Sequence, residues 1–148
     1  MLTISDNQIS LEPMIDITKN QFLVPDIQQA IEEYFLENKQ QAIFNGEKQD
    51  VIYISGMADK HNPALANYLN SSVLKSYPAK ADICQGHFAN YPIIHCWIKI
   101  GNLIIDLVIK QFADKNIDFP ENLLSLLDKQ YFICDNPSNP FYKLYISN

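Results

Sequence analysis

A histidine and an aspartate on either side of a turn dipeptide form the most informative pattern in the sequence. His95 and Asp106 flank Gly101-Asn102, a pair that is typical of two-residue hairpin turns. If this turn joins two strands, Trp97 faces Asp106, and His95 is the diagonal neighbour of the aspartate on the same face. A carboxylate bonded to an imidazole fixes its tautomer and supports the imidazolium, as a general base requires. The pattern therefore predicts a catalytic dyad, with a solvated His and Asp on a sheet surface as the alternative.

The opposite face of the predicted hairpin is continuously apolar. Its members alternate with His95 and Asp106 along the two strands: Ile94, Cys96, Ile98, Ile100, Leu103, Ile105, Leu107 and Ile109. We expect this face to pack on the core. The face with the dyad, which also includes Val108, is expected to be the less apolar one.

Three short segments resemble the motif of compact bacterial papain-like and transglutaminase-like cysteine enzymes: His95-Cys96-Trp97, Ile105-Asp106-Leu107 and Gln111-Phe112. The family usually has Ala where this chain has Cys96, and Thr where it has Val108. The resemblance implies acyl transfer through a thioester, with His95 as the general base and Asp106 orienting it. Gln111 is a candidate supporting residue that could orient Asp106 or close the hairpin from behind. Trp97 is a candidate packing wall, with part of the substrate groove as the alternative.

In that family the nucleophilic cysteine begins a helix upstream of the histidine, where the helix dipole and the imidazolium lower the thiol pKa. This chain has a similar segment, with Ala58 in place of the cysteine: Gly56-Met57-Ala58, then Asn62, Leu65 and Leu69. Either the chain is an inactive natural relative, or a cysteine was exchanged for alanine, which is the interpretation we favour. The alternative to both is that the similarity of this segment is fortuitous and Ala58 is an ordinary residue. Asn62-Pro63 is also typical of a helix start, which would leave Ala58 in the preceding turn.

The three cysteines of the chain are rival candidates for the nucleophile. Cys96 should point into the core, and Cys134 should be a buried strand residue. Cys84 precedes Gln-Gly-His at a strand end and could approach His95 only if the two strands are neighbours. Cys84 and His87 form the only closely spaced metal-ligand pair, and structural zinc needs a second pair. We therefore predict no metal and no other cofactor, and we expect His61 and His87 in loops or at the surface.

Composition excludes several classes of partner. The net charge is −6, and all 11 basic residues are lysine, whereas nucleic-acid-binding domains carry basic patches rich in arginine. No segment approaches the ~20 apolar residues of a membrane span, and no signal peptide is recognisable. We expect a protein substrate or protein partner, with no nucleic acid and no membrane, and leave the oligomeric state open. The expected location is the cytoplasm, or outside the cell as an effector secreted without a cleavable signal.

The elements that must position these residues follow from periodicity. Apolar residues at helical spacing predict helices over 26–44, ended by Asn45-Gly46, over 62–74 and, more briefly, over 123–129. Strands are predicted for 51–54, 81–86, 92–100, 103–109, 131–134 and 142–146. Helices followed by a meandering sheet indicate an α+β domain over residues 1–148, with N-terminal helices packed on an antiparallel sheet.

Together with the resemblance, this fold implies a papain-like arrangement. The expected activity is that of a protein glutamine deamidase or a cysteine protease, with transfer to an amine less favoured, in a bacterial effector or toxin. The alternative is a non-catalytic protein-binding module on the same fold, in which Ala58 is native.

Overall fold

Two helices pack on one face of a six-stranded sheet in the computed structural model, which describes residues 13–18, 24–51, 57–113, 115 and 117–148. The helices are α1 (Val24–Glu37) and α2 (Ala58–Ser71). The strands of the sheet are β1 (Met14–Asp16), β4 (Asp82–Phe88), β5 (His95–Ile100), β6 (Leu103–Asp106), β7 (Phe132–Cys134) and β8 (Tyr145–Ser147). A separate hairpin is formed by β2 (Gln40–Phe44) and β3 (Glu47–Val51). The α+β class is therefore confirmed.

The sheet is mixed rather than antiparallel. Its strand order is β1-β7-β6-β5-β4-β8, and β1 pairs with β7 in parallel, whereas the other neighbours are antiparallel. The prediction of an antiparallel sheet is wrong at this edge. A strand of three residues is too short to show a recognisable alternation, and it lies before the first helix of the chain.

The Asn45-Gly46 dipeptide turns a hairpin instead of ending a helix. Helix α1 ends at Glu37, and both turn residues have positive φ, 53° and 82°, as a type I′ turn requires. The predicted helix over 26–44 therefore merges a helix with the strand β2 that follows it. Of the strand predicted for 51–54, residues 52–54 lie outside the described residues.

Helix α2 begins at Ala58 and contains Pro63, so the predicted start at Asn62-Pro63 is wrong. The proline lies in the second turn, where its missing N–H deprives only the carbonyl of Asp59 of its helical donor. Because Asp59 is exposed, water can bond that carbonyl. A proline this close to the start of a helix is therefore tolerated, and Asn62 is left free to point at the sheet.

Both faces of the central hairpin are buried, which corrects the expectation of a less apolar face. The helix side packs α1 and α2 on Cys96, Ile98 and Ile105. The other side is covered by an aromatic cluster, which we define as Phe88, Trp97, Phe112, Phe132, Phe141 and Tyr145.

Most of the residues that pack over the aromatic face of the hairpin come from the chain after β6. β6 ends at Asp106, so alternation stops there, and Val108 lies in the helix-side core while Ile109 lies with the aromatic cluster. The 3₁₀ segments Ile109–Phe112, Glu121–Asp128 and Tyr142–Leu144 follow. The second of these replaces the predicted short helix over 123–129. No helix within the described ranges is both long and apolar enough to span a bilayer.

Candidate active site

The β5–β6 hairpin brings His95 and Asp106 into direct contact, as the sequence predicts. The register pairs Ile100 with Leu103 and Ile98 with Ile105. The His95 Nε2 atom lies 2.7 Å from Asp106 Oδ2, with both side chains buried. An ionised carboxylate only accepts hydrogen bonds, so Nε2 carries the proton and Nδ1 is left as the basic nitrogen. The geometric prediction is confirmed, and the catalytic role of the pair stays a prediction.

Asp106 is held by four donors in a fully buried position. Besides His95, the hydroxyl of Tyr145 donates to Oδ2 at 2.7 Å, and Asn62 Nδ2 and the Val108 N–H donate to Oδ1 at 3.1 Å each. Burial acts to raise the pKa of Asp106, but the charge of His95 and the hydrogen bonds hold that pKa below its ordinary value. Burial and the nearby Asp106 charge raise the pKa of Tyr145 well above its ordinary value. Asp106 is therefore ionised and Tyr145 remains a donor.

The Asn62 side chain takes the place of a rung of the β5–β6 ladder. Beyond the pair Ile98–Ile105, Asn62 Nδ2 donates to the Cys96 carbonyl at 2.9 Å, and the Leu107 N–H donates to Asn62 Oδ1 at 3.1 Å. If the register continued, Trp97 would lie opposite Asp106, and Cys96 with Leu107 would form the next hydrogen-bonded pair. The amide thus spans the two strands where they separate, and the same Nδ2 also reaches Asp106.

Ala58 is the first residue of α2, and Met57 before it is in the left-handed conformation with φ 61°. Within the helix the first backward bonds are those of Lys60 and His61, both to the Met57 carbonyl. The N–H groups of residues 58 and 59 therefore have no acceptor inside the helix, as is general for a first turn. Such a helix start favours an anion or a thiolate.

A pocket of about 400 Å³ joins this helix start to the histidine. Its lining residues come from the start of α2, from β4, from the loop before β5 and from the 3₁₀ segment after β6: Met57, Ala58, Asp59, Gln85, Tyr91, Ile93, Ile94, His95, Cys96 and Gln111. The structure thus brings Ala58, His95 and Gln111 to one cavity. Asp106 lies behind His95.

Gln111 and Trp97 occupy different positions relative to the pocket. Gln111 lines it, and its Nε2 atom is 3.4 Å from His95 Nδ1, a long hydrogen bond that a better donor can displace. Trp97 is buried in the aromatic cluster, with its ring centroid 5.9 Å from that of His95. Trp97 thus forms a packing wall and does not line the pocket.

The cysteines of the chain are poor nucleophiles by position. Burial, followed by the charges of Asp106 and Asp59, raises the pKa of Cys96 to about 11. Burial likewise raises the pKa of Cys134, within β7, to about 11. Sheet order does place β4 beside β5, but Cys84 faces Trp97 in the register and does not line the pocket.

The remaining histidines do not form a metal site with Cys84. Cys84 and His87 lie three residues apart on β4, so they point to opposite faces. The part of the chain that the structure describes contains no group of three or more His, Cys, Asp or Glu side chains that could hold a metal ion. His61, expected in a loop or at the surface, is instead buried within helix α2, and its Nδ1 atom is 2.7 Å from the Tyr34 hydroxyl. Burial, followed by the charge of Lys60, lowers the pKa of His61.

Sequence reasoning missed two residues that hold Asp106. Tyr145 reaches it from the last strand, 39 positions along the chain, and no local pattern connects the two residues. Asn62 is recognisable in the sequence, but as a helix cap rather than as an amide between strands. No protein-family model, curated protein or solved structure matches the chain, so the geometry of the site is the guide to its chemistry.

Proposed function

We propose that this domain is built for acyl transfer through a thiol at position 58, in a papain-like arrangement. The observation that carries the proposal is the pocket that joins the start of α2 to a histidine backed by a buried, ionised aspartate. A thiol on the first residue of a helix is favoured as a thiolate by the N–H groups of the first helical turn and by a nearby imidazolium. The substrate is a carboxamide, in a peptide bond or in a glutamine side chain of a protein.

In the first half of this reaction His95 Nδ1 takes the thiol proton, and the sulfur attacks the carbonyl carbon. The developing oxyanion would accept from the N–H of residue 58. The C–N bond then breaks, and His95 returns the proton to the departing nitrogen, which leaves as ammonia or an amine. In the second half water gives a proton to the same Nδ1 and attacks the thioester, releasing a carboxylic acid and the thiol. Asp106 stabilises the imidazolium in both halves.

Ala58 has no sulfur, so the chain as it stands should bind substrate without turning it over. The alanine also favours a second candidate function, a protein-binding module that uses the same pocket without chemistry. The two candidates differ in one property, because only a catalytic scaffold keeps its ability to activate a thiol at position 58.

The Ala58→Cys variant tests the proposal. Its new thiol should react with iodoacetamide at neutral pH much faster than Cys96 and Cys134, whose thiols stay protonated, and faster than the half-buried Cys84. Peptide mapping by mass spectrometry assigns the rates to each cysteine. Adding His95→Ala should remove the advantage. Equal alkylation of all four thiols would refute thiol activation and leave the binding module.

Intact-mass spectrometry of proteins incubated with the Ala58→Cys variant identifies which type of reaction is catalysed. Conversion of a glutamine to glutamate indicates a deamidase, two fragments indicate a protease, and a covalent adduct with an added amine indicates transfer. The chain with Ala58 is the negative control. We expect hydrolysis, because water needs no second binding site.

A further inference from the structure

Three exposed apolar side chains lie together around the pocket. Met57, Ile93 and Ile94 line the pocket and are 56%, 60% and 52% exposed. They come from two separate segments, the start of α2 and the loop before β5. Large apolar side chains that remain exposed together around a cavity mark a binding surface.

Two further exposed isoleucines, Ile83 and Ile146, lie on the same face of the sheet as the pocket residues Gln85 and Cys96. In the register Gln85 lies beside Cys96, Ile83 beside Ile98, and Ile146 beside His87, so these side chains share the helix-side face. Ile83 and Ile146 are exposed there.

Met57 keeps a side chain where the backbone favours glycine. Its φ of 61° is a left-handed conformation that is strained for residues with a Cβ and is free for Gly. Backbone strain of this kind clusters at active sites and ligand-binding sites, where the side chain has a functional role. Met57 therefore adds an apolar wall to the pocket at a cost in backbone strain.

The charged side chain in the pocket lining belongs to Asp59, beside the neutral amides of Gln85 and Gln111. Neither Lys nor Arg belongs to this set of lining residues. An acidic group on a ligand would meet the Asp59 carboxylate, and the imidazole of His95, which could carry a positive charge, is already paired with Asp106. This arrangement disfavours acidic side chains beside the reacting carboxamide.

We propose that the pocket binds a polypeptide segment that presents large aliphatic residues next to the reacting carboxamide, and that it discriminates against acidic segments. This substrate class rests on the proposed function for its chemistry, but binding needs only the pocket. The aliphatic residues would lie against Met57, Ile93 and Ile94, with the reacting carbonyl between position 58 and His95.

The first test uses the chain with Ala58, labelled at its isoleucine and methionine methyl groups, and the probe acetyl-Ile-Ile-Gln-Ile-amide. NMR titration should shift the methyl signals of Ile93, Ile94 and Met57 more than those of Ile15, which is exposed on the distant β1. Acetyl-Asp-Asp-Gln-Asp-amide should leave them unshifted. Absent shifts with the aliphatic probe, or equal shifts with both probes, would overturn the inference.

The second test uses Ala58→Cys and peptides of the same sequences that carry an N-terminal chloroacetyl group, on which the sulfur displaces chloride. The rate at which each peptide alkylates the thiol is divided by the rate at which iodoacetamide alkylates it, so that the ratio reports peptide recognition rather than thiol reactivity. The aliphatic peptide should be favoured over the acidic one by about tenfold. Ile93→Ser with Ile94→Ser, and separately Met57→Asn, should reduce this preference, whereas Leu124→Ser, at an exposed site outside the pocket, is the matched control.

The two proposals fail in different ways. Fast iodoacetamide labelling without a peptide preference contradicts the aliphatic substrate class and leaves thiol activation standing. Slow iodoacetamide labelling with specific methyl shifts contradicts thiol activation and leaves the aliphatic binding surface. Met57→Asn tolerates the left-handed backbone, so a loss of preference in that variant reports the side chain rather than misfolding.

Discussion

Replacement of Asn62 by alanine tests whether its amide holds the candidate site together. The change removes three hydrogen bonds of a fully buried side chain, to the Cys96 carbonyl, the Leu107 N–H and Asp106. We expect Asn62→Ala to fold, to be clearly less stable, and to weaken the orientation of His95. A loss of stability alone would mark Asn62 as an ordinary structural residue, whereas a change in the orientation of His95 as well would mark it as a residue that positions the site.

The expected loss follows from the groups that would be left without partners. A buried backbone group deprived of its hydrogen bond costs about 1–3 kcal/mol, and Asn62→Ala strands two of them. Water entry or closure of the strands recovers a part, so we expect a loss of about 2–4 kcal/mol in the free energy of unfolding. Domains of this size have stabilities of about 5–15 kcal/mol, so the variant should remain folded.

Asn70 provides a matched control on the same helix. Its side chain makes the same pair of backbone bonds, from Nδ2 to the Ala81 carbonyl and from the Ala81 N–H to Oδ1, at a partly exposed position away from Asp106. Asn70→Ala should cost about 1 kcal/mol. Urea unfolding measures both losses.

The site readout is the iodoacetamide rate in the Ala58→Cys background, measured as a function of pH. Asn62→Ala should lower the rate at which the thiol at position 58 reacts with iodoacetamide and should shift the pH dependence of that rate, because Asp106 loses one of its four hydrogen-bond donors. Asn70→Ala should leave the profile unchanged. Equal stability losses together with identical pH profiles would refute the role of Asn62 in holding the dyad.

Three further predictions concern Asp106 and its neighbours. Because the folded state lowers the pKa of Asp106, its charge stabilises the fold above about pH 3.9, and this contribution disappears as the pH falls through the lowered pKa. In Asp106→Asn, the free energy of unfolding measured in urea should therefore fall less steeply with decreasing pH in this acidic range. Tyr145→Phe should cost about 1–2 kcal/mol and slow the Ala58→Cys thiol without unfolding the protein, measured by near-UV circular dichroism and alkylation. Gly86→Ala should cost more than Tyr145→Phe in the same unfolding assay, because a Cβ on Gly86 would overlap the Ile146 carbonyl of β8.

The dyad could be predicted from sequence because it depends on a single local turn. Once Gly101-Asn102 closes the hairpin, alternation alone decides that His95 and Asp106 share a face. The turn also forms as expected, with Gly101 at φ 60°, as the first position of a type II′ turn requires. No long-range information is needed for this part of the site.

The environment of the dyad could not be predicted, because it is assembled by residues distant in sequence. The alternation argument assigns a less apolar face, but Phe112, Phe141 and Tyr145 fold back over it. Phe112 lies in a short 3₁₀ segment, Phe141 directly precedes another, and Tyr145 lies in a three-residue strand. Elements this short give no clear periodicity. Their arrival turns a solvent-facing pair into a buried one.

That burial changes what Asp106 can do. An exposed carboxylate would stabilise an imidazolium weakly, because water screens the interaction, whereas a buried one acts in a medium of lower dielectric. The same burial would neutralise Asp106 if it were unpaired, and the four donors prevent this. Tyr145 contributes to both effects, since its ring helps to bury the carboxylate of Asp106 and its hydroxyl donates a hydrogen bond to that carboxylate. The close approach of β8 at Gly86 therefore contributes to the electrostatics of the dyad as well as to the fold.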